Sequence, residues 1–260
     1  MPARKNTSRS LRAVALSTLP LFAASAARAD TFNWIGTPTS NSWSDPANWL
    51  NLTNPSATPS YPTTTDTAIL DTGGYNSINL LSPTLSLDTL QLPGRSNYGF
   101  FGQPSTGSPP YTLSSNNGTG STILQVNQIT AGSNGAFAGA DSRSNIIDST
   151  VTLQGPESSP LAITLRRDLS IQGPVIAPGG ITVISGPTVD DGGVLNLSGT
   201  SNSISSLNLS GPVNAYGPGS IQNAAINFGQ GFTSSNLLTL ISDLPLANYN
   251  NNININSNGS

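Results

Sequence analysis

The residues able to do chemistry are few, and each set lacks a partner. Asp71-Thr72-Gly73 has the form in which two carboxylates, one from each of two such tripeptides, share a proton and activate water. No second Asp-Thr-Gly or Asp-Ser-Gly occurs, so a strand ending in an Asp turn accounts for it as well. Asp190-Asp191-Gly192-Gly193 offers paired carboxylates for glycoside hydrolysis or oxygen ligands for calcium. Neighbours in a strand point to opposite faces, however, and a polar corner between two strand runs explains the same residues. Arg166-Arg167-Asp168 is the only cationic cluster beyond the first 29 residues. As an arginine base it would need further Lys, His or clustered Asp nearby, and a surface ion pair worth about 0–1 kcal/mol is the simpler role. Trp34, Trp43 and Trp49 could contact glycans by stacking on sugar rings, or could cover one end of a fold with bulk.

Other chemistries fall by elimination. The chain has no Cys and no His, and its one lysine, Lys5, precedes residue 30, which leaves no base or thiol for a nucleophile system. Gly132 to Gly139 lacks the lysine and helix of a phosphate-binding loop. No catalytic residue, metal ligand or cofactor is therefore expected. The protein is read as a non-enzyme, with a carboxylate-based polysaccharide hydrolase as the residual enzymatic alternative.

The first residues carry a different message. Arg4, Lys5, Arg9 and Arg12 form a basic start, Ala13 to Ala24 an apolar stretch, and Ala27-Arg28-Ala29 a small-residue cleavage site, the pattern of an export signal spanning residues 1–29. The apolar stretch is shorter than the roughly 20 residues needed to cross a bilayer and contains Pro20, so no membrane span is expected once the signal is removed. Cleavage leaves Asp30 as the first residue and four arginines against twelve acids, a net charge of −8. Such a chain repels nucleic acid and anionic membranes. Without disulfides, its stability must rest on apolar burial and backbone hydrogen bonds.

The elements that would position any site are short strands. Gly or Pro interrupts almost every window long enough for a helix. Runs at Thr67 to Leu70, Ser77 to Leu81, Leu85 to Leu92, Thr122 to Thr130, Ile146 to Leu153, Leu161 to Ile171, Ile181 to Ile184, Val194 to Leu197, Ile204 to Leu209, Ile221 to Phe228 and Leu237 to Ile241 predict strands, several with one apolar face and one of Ser, Thr and Asn. Gly155, Gly173, Gly186, Gly199 and Gly211 close such runs at intervals of 12 to 18, four of them followed by Pro, and Leu195-Asn196-Leu197-Ser198-Gly199 recurs at Leu207 to Gly211. A strand and corner every ~13 residues predicts a solenoid coil of roughly 20 to 30 residues. An antiparallel sandwich has similar spacing, but tight hairpin signals are limited to Asn117-Gly118 and Asn134-Gly135.

Two segments resemble a known family. Trp34-Ile35-Gly36, then Trp43, Asn48-Trp49, Pro62 and Asp66-Thr67-Ala68-Ile69 resemble the amino-terminal module of bacterial autotransporter-associated β-strand-repeat proteins. Gly193-Val194-Leu195-Asn196-Leu197-Ser198-Gly199-Thr200-Ser201-Asn202 is similar to that family's repeat, although Ser203-Ile204 follows where the family continues with an aromatic and a Gly-Gly step. The resemblance implies a secreted, surface-associated β-solenoid. The expectation is thus an all-β protein, a right-handed parallel β-helix with an aromatic N-terminal cap: signal at 1–29, Trp-rich cap at 30–75, solenoid at 76–245 and a polar, disordered tail at 246–260. Its expected role is structural or adhesive at the cell surface or outside the cell, with the periplasm as another destination. Surface glycans or neighbouring surface proteins are the expected partners, and a carbohydrate-binding or polysaccharide-processing β-helix is the alternative.

Overall fold

The computed structural model describes residues 29–36, 40–70, 77–93, 112–115, 121–132, 145–166, 168–185, 193–199, 201–210, 213–216, 224–228, 238–241 and 253–255. The predicted signal up to residue 28, Asp71-Thr72-Gly73, Asp190-Asp191, Arg167 and both Asn-Gly pairs lie outside them. The described chain is all-β apart from a 3-10 turn at Pro46–Asn48. Its strands are β1 (Thr31–Trp34), β2 (Trp49–Asn51), β3 (Thr67–Ile69), β4 (Ser77–Leu80), β5 (Thr84–Leu92), β6 (Thr112–Ser115) and β7 (Thr122–Ala131). There follow β8 (Asn145–Ile147), β9 (Val151–Gln154), β10 (Leu161–Leu165), β11 (Leu169–Ile171), β12 (Val175–Ala177), β13 (Ile181–Ser185) and β14 (Leu195–Leu197). The last are β15 (Ser203–Ile204), β16 (Ser206–Ser210), β17 (Val213–Tyr216), β18 (Ala225–Phe228), β19 (Leu238–Ile241) and β20 (Ile253–Ile255).

These strands form two sheets. One runs β4-β6-β8-β11-β14-β17-β19, and the other runs β2-β1-β3-β5-β7-β10-β13-β16-β18-β20 with β9, β12 and β15 on a branch. The pairing of β1 with β2 is antiparallel; every other strand pair is parallel, as in β10 with β13 and β11 with β14. The branch arises because β7 is long. Its first half pairs with β9 and its second half with β10, so the single strand of an early turn becomes two strands in the next. From β4 onward the chain visits three ranks of strands in fixed order, first β4, β6, β8, β11 and β14, then the early half of β5 and of β7 and β9, β12 and β15, then the late halves and β10, β13 and β16. Parallel strands that return to the same rank in this way are compatible with a β-solenoid.

Local chemistry explains the corners. The run Ile146 to Leu153, expected as one strand, is two strands in different sheets, β8 and β9. Asp148 Oδ1 accepts the N–H and the hydroxyl of Thr150, both at 2.9 Å, and the Val151 N–H donates to the Asp148 carbonyl at 2.9 Å. A side chain bonded to the backbone two residues on turns the chain without Gly or Pro. The run Leu161 to Ile171 divides likewise into β10 and β11, with Asp168 at the corner and its Oδ1 accepting the Val194 N–H at 2.8 Å. Asp168 thus serves a backbone donor of the following turn, while Arg167, its neighbour in the expected ion pair, lies outside the described residues.

The ~13-residue spacing counts corners, not turns. Leu195-Asn196-Leu197 lies in β14 of one sheet and its copy Leu207-Asn208-Leu209 in β16 of the other, both with leucines buried. A full turn takes 19 to 26 residues between Ala162, Thr182, Asn208 and Asn227, which stand in register. It takes 39 and 34 between Thr89, Gln128 and Ala162. Among the described corner glycines Gly173 and Gly199 stack: a Cβ on Gly199 would collide with the Gly173 carbonyl oxygen, and one on Gly173 with that of Val151. Residues 253–255 differ from the expected disordered tail, because β20 pairs with β18. Ile253-Asn254-Ile255 repeats the apolar-polar-apolar pattern of the other strands, enough to extend the ladder.

One apolar core runs through the stack, from Phe32 and Trp34 to Leu207 and Leu209. In β10, Leu161, Ile163 and Leu165 are buried while Ala162 and Thr164 stand half-exposed. Each such aliphatic side chain contributes roughly 1.5–3 kcal/mol by leaving water.

Candidate functional site

The segment Trp43-Ser44-Asp45-Pro46-Ala47-Asn48-Trp49 folds through its own side chains. Asp45 Oδ1 accepts the Ala47 N–H at 3.0 Å and caps the 3-10 turn, in which Pro46 fills the first position, where its missing N–H costs nothing. Asn48, fully buried, donates from Nδ2 to the Ser42 carbonyl at 2.8 Å, and its own carbonyl accepts the Ile35 N–H at 2.8 Å. Trp49 Nε1 donates to the Trp43 carbonyl at 2.7 Å. The indoles then meet edge to face: Trp49 lies 5.1 Å from Trp34 at 77° and 4.6 Å from Trp43 at 64°, the arrangement that ring quadrupoles favour.

That packing decides what the tryptophans can do. Trp34, Trp43 and Trp49 are 0, 2 and 6 % exposed, so none offers an open ring face to a sugar. The stacking alternative is not supported by this burial: in strand β1 the alternation that buries Phe32 turns Trp34 to the same side. The segment also lies along strand edges of both sheets. β1 and β2 precede β3 in one sheet. In the other, the Trp43 N–H donates to the Asn79 carbonyl and the Asn79 N–H to the Asn41 carbonyl, each at 2.9 Å, beside β4.

Beside this core opens a cleft of about 230 Å³ lined by Trp43, Ser44, Tyr61, Pro62, Thr63, Thr64, Leu80, Leu81, Ser82, Thr84, Leu85 and Ser86. Tyr61 and Leu81 are 36 % and 44 % exposed. Ser82 donates to the Thr84 carbonyl at 2.8 Å and Ser86 to Gln125 Oε1 at 2.6 Å. The Trp43 Nε1–H is buried with no hydrogen-bond partner among the described residues. Hydroxyls, an exposed phenol and an aliphatic wall suit neutral polyhydroxylated ligands, which bind through apolar faces and uncharged hydrogen bonds. Nothing in the spacing of Tyr61 marks a cleft; that arises from the meeting of residues 61–64 with 80–86.

A second surface comes from the outward positions of the third rank. Asn227 Nδ2 donates to Asn208 Oδ1 at 2.7 Å and Asn208 Nδ2 to Thr182 Oγ1 at 3.3 Å. On the second rank Ser86 donates to Gln125, and Gln125 Nε2 to Gln154 Oε1 at 3.2 Å. On the first rank Asn79 Nδ2 donates to Asn41 Oδ1 at 3.0 Å and Ser114 to Asn79 Oδ1 at 3.2 Å. Amides and hydroxyls thus bond along the stack, as their abundance on strand faces suggests.

Among the described residues no group of three or more acidic, His or Cys side chains could hold a metal ion, and no helix is long and apolar enough to cross a membrane. Arg166 is half-exposed, its N–H bonded to the Ala131 carbonyl at 2.7 Å. Compared with family models, curated proteins and solved structures, the chain finds no match.

Proposed function

We propose that this chain is an exported β-solenoid, a right-handed parallel β-helix with an aromatic N-terminal cap, that serves as a structural or adhesive element at the cell surface or outside the cell. The observation that supports this most is the set of in-register polar ladders on the outer faces, exemplified by Thr182, Asn208 and Asn227. Parallel strands ~4.8 Å apart repeat these groups at a fixed spacing, so a glycan or neighbouring protein can be held by many weak bonds acting together. The handedness follows the near-universal right-handed sense of parallel crossovers. The cap reading is supported by a segment that bonds to edges of both sheets and is filled by three indoles. Exposed parallel edges invite association with other chains, and covering them prevents it. The likeness to autotransporter-associated repeat proteins belongs to the same proposal. The test places carboxylates on one face: Thr164→Asp with Thr182→Asp should abolish attachment of the exported protein to cells or immobilised surface glycans while its circular dichroism stays unchanged. Undiminished attachment overturns the reading.

The cleft at Tyr61 favours a second reading, a carbohydrate-binding protein. Its observation is the exposed phenol beside Leu81 and the cleft hydroxyls. Tyr61→Ala should then remove glycan binding measured by calorimetry without lowering the unfolding temperature. Binding that survives Tyr61→Ala rules the cleft out.

A further inference from the structure

Asp30 is held at three points. Its backbone N–H donates to Asp66 Oδ1 at 2.9 Å, its carbonyl accepts the Thr67 N–H at 2.9 Å, and its Oδ2 accepts from Asn51 Nδ2 at 2.8 Å. Asp66 is 8 % exposed. Its Oδ2 accepts both the N–H and the hydroxyl of Thr63, at 2.8 and 3.0 Å, and the Asp88 N–H donates to its carbonyl at 3.1 Å. Every partner of the Asp66 carboxylate among the described residues is therefore a neutral donor. A carboxylate taken out of water without a cation is costly, and beyond residue 29 the chain offers only four arginines as cations. One residue before Asp30 stands Ala29, which is exposed and ends the Ala27-Arg28-Ala29 cleavage pattern.

We propose that the Asp66 carboxylate is the receptor for the α-ammonium group created when the Ala29–Asp30 peptide bond is hydrolysed, so that removal of the signal adds an ion pair that stabilises the N-terminal segment. The proposal rests on the export reading. A processing peptidase catalyses the step and one water is consumed: its oxygen joins the Ala29 carbonyl carbon as the C–N bond breaks, Ala29 leaves as a carboxylate, and the Asp30 nitrogen leaves as an ammonium. That nitrogen already lies at hydrogen-bond distance from Oδ1. Cleavage therefore replaces a hydrogen bond from an uncharged amide to the carboxylate by one from an ammonium group, an ion pair, at the same place. In the uncleaved chain the same nitrogen is an uncharged amide. The segment that lies along the edges of both sheets is thus held more firmly after processing.

Two chains test this, one starting at Asp30 and one retaining Ala29, each with Asp66 intact and with Asp66→Asn. Retaining Ala29 moves the charge ~3.8 Å along the chain but leaves the Asp30 N–H bond in place. The Asp30 chain should unfold about 2–4 °C higher than the Ala29 chain, and the difference should vanish with Asp66→Asn. Equal unfolding temperatures, or a difference that persists with Asp66→Asn, overturn the proposal. A second measurement does not depend on the variant folding. With no lysine after residue 29, the α-amine is the only primary amine, and an amine-acylating reagent reports on it alone. It should react about tenfold more slowly in the native Asp30 chain than in the urea-unfolded one; equal rates overturn the ion pair. The intact mass of the exported protein separates the two ideas. An uncleaved chain removes the export reading and the proposal together, a cleaved terminus other than Asp30 removes the proposal, and an Asp30 terminus with equal rates removes the ion pair alone.

Discussion

The N-terminal segment and the stack that follows it are stabilised in different ways. Between residues 42 and 49 side-chain bonds are local: Asn48 to Ser42, Trp49 to Trp43 and Asp45 to Ala47 span two to six residues. In the stack they join one turn to the next, as in Asn227 to Asn208, 19 residues apart, and Ser86 to Gln125, 39 apart. The first region is held by bulk and by its own turn chemistry; the second by repetition. The difference teaches where damage should travel. A lesion in the tryptophan cluster removes a local core, whereas a lesion at a stacked corner disturbs the turn on either side, because stability in such stacks is roughly a sum over neighbours.

The largest expected effect tests the first half of that contrast. Trp34→Ala deletes a fully buried indole and should cost about 3–5 kcal/mol by denaturant titration. Hydrogen exchange should quicken in β1 to β3 and change little in β13 and β16. A uniform loss of protection would mean that the two regions unfold as one unit. A smaller effect is expected at a corner. Gly199→Ala drives a methyl group against the Gly173 carbonyl and should cost about 1–3 kcal/mol, with exchange quickening in β11, β12, β14 and β15 while β1 to β3 stay protected. The smallest tests the ladders. Asn208→Ala breaks bonds to Thr182 and Asn227 and should cost about 0.5–1.5 kcal/mol. A loss as large as that of Trp34→Ala would move the ladders from surface ornament to principal support.

Much of the fold was legible because its signals are local. The runs at 67–70, 77–81, 85–92 and 122–130 appear as β3, β4, β5 and β7 within a residue or two, since their alternation declares which face is buried. Corners at Asp148 and Asp168 were missed for the opposite reason: neither carries Gly or Pro, and a carboxylate that turns the chain, as at Asp148, or serves the next turn, as at Asp168, looks like any polar residue within an apolar run. β1, β2, β6, β12, β17 and β20, each of three or four residues, were not among the expected runs. The site was the least legible part. Trp34, Trp43 and Trp49 fit an end cap and ring platforms alike, because a tryptophan that stacks on a ligand and one that fills a core have the same name in a sequence. Only the neighbours decide between them.

The amino-acid pattern by itself determined the all-β character and many of the strands, the charge and the poverty of reactive groups, because each depends on residue type and short spacing. It also marked Asp30 as the residue following the cleavage pattern. The tertiary structure alone decided which strands pair, that identical pentapeptides at 195 and 207 belong to different sheets, and that Asp66, 36 residues away, accepts the Asp30 N–H. The physical reason is one of range. Alternation and turn chemistry act over a few residues, whereas register depends on how many residues each corner consumes, and that number varies from one turn to the next.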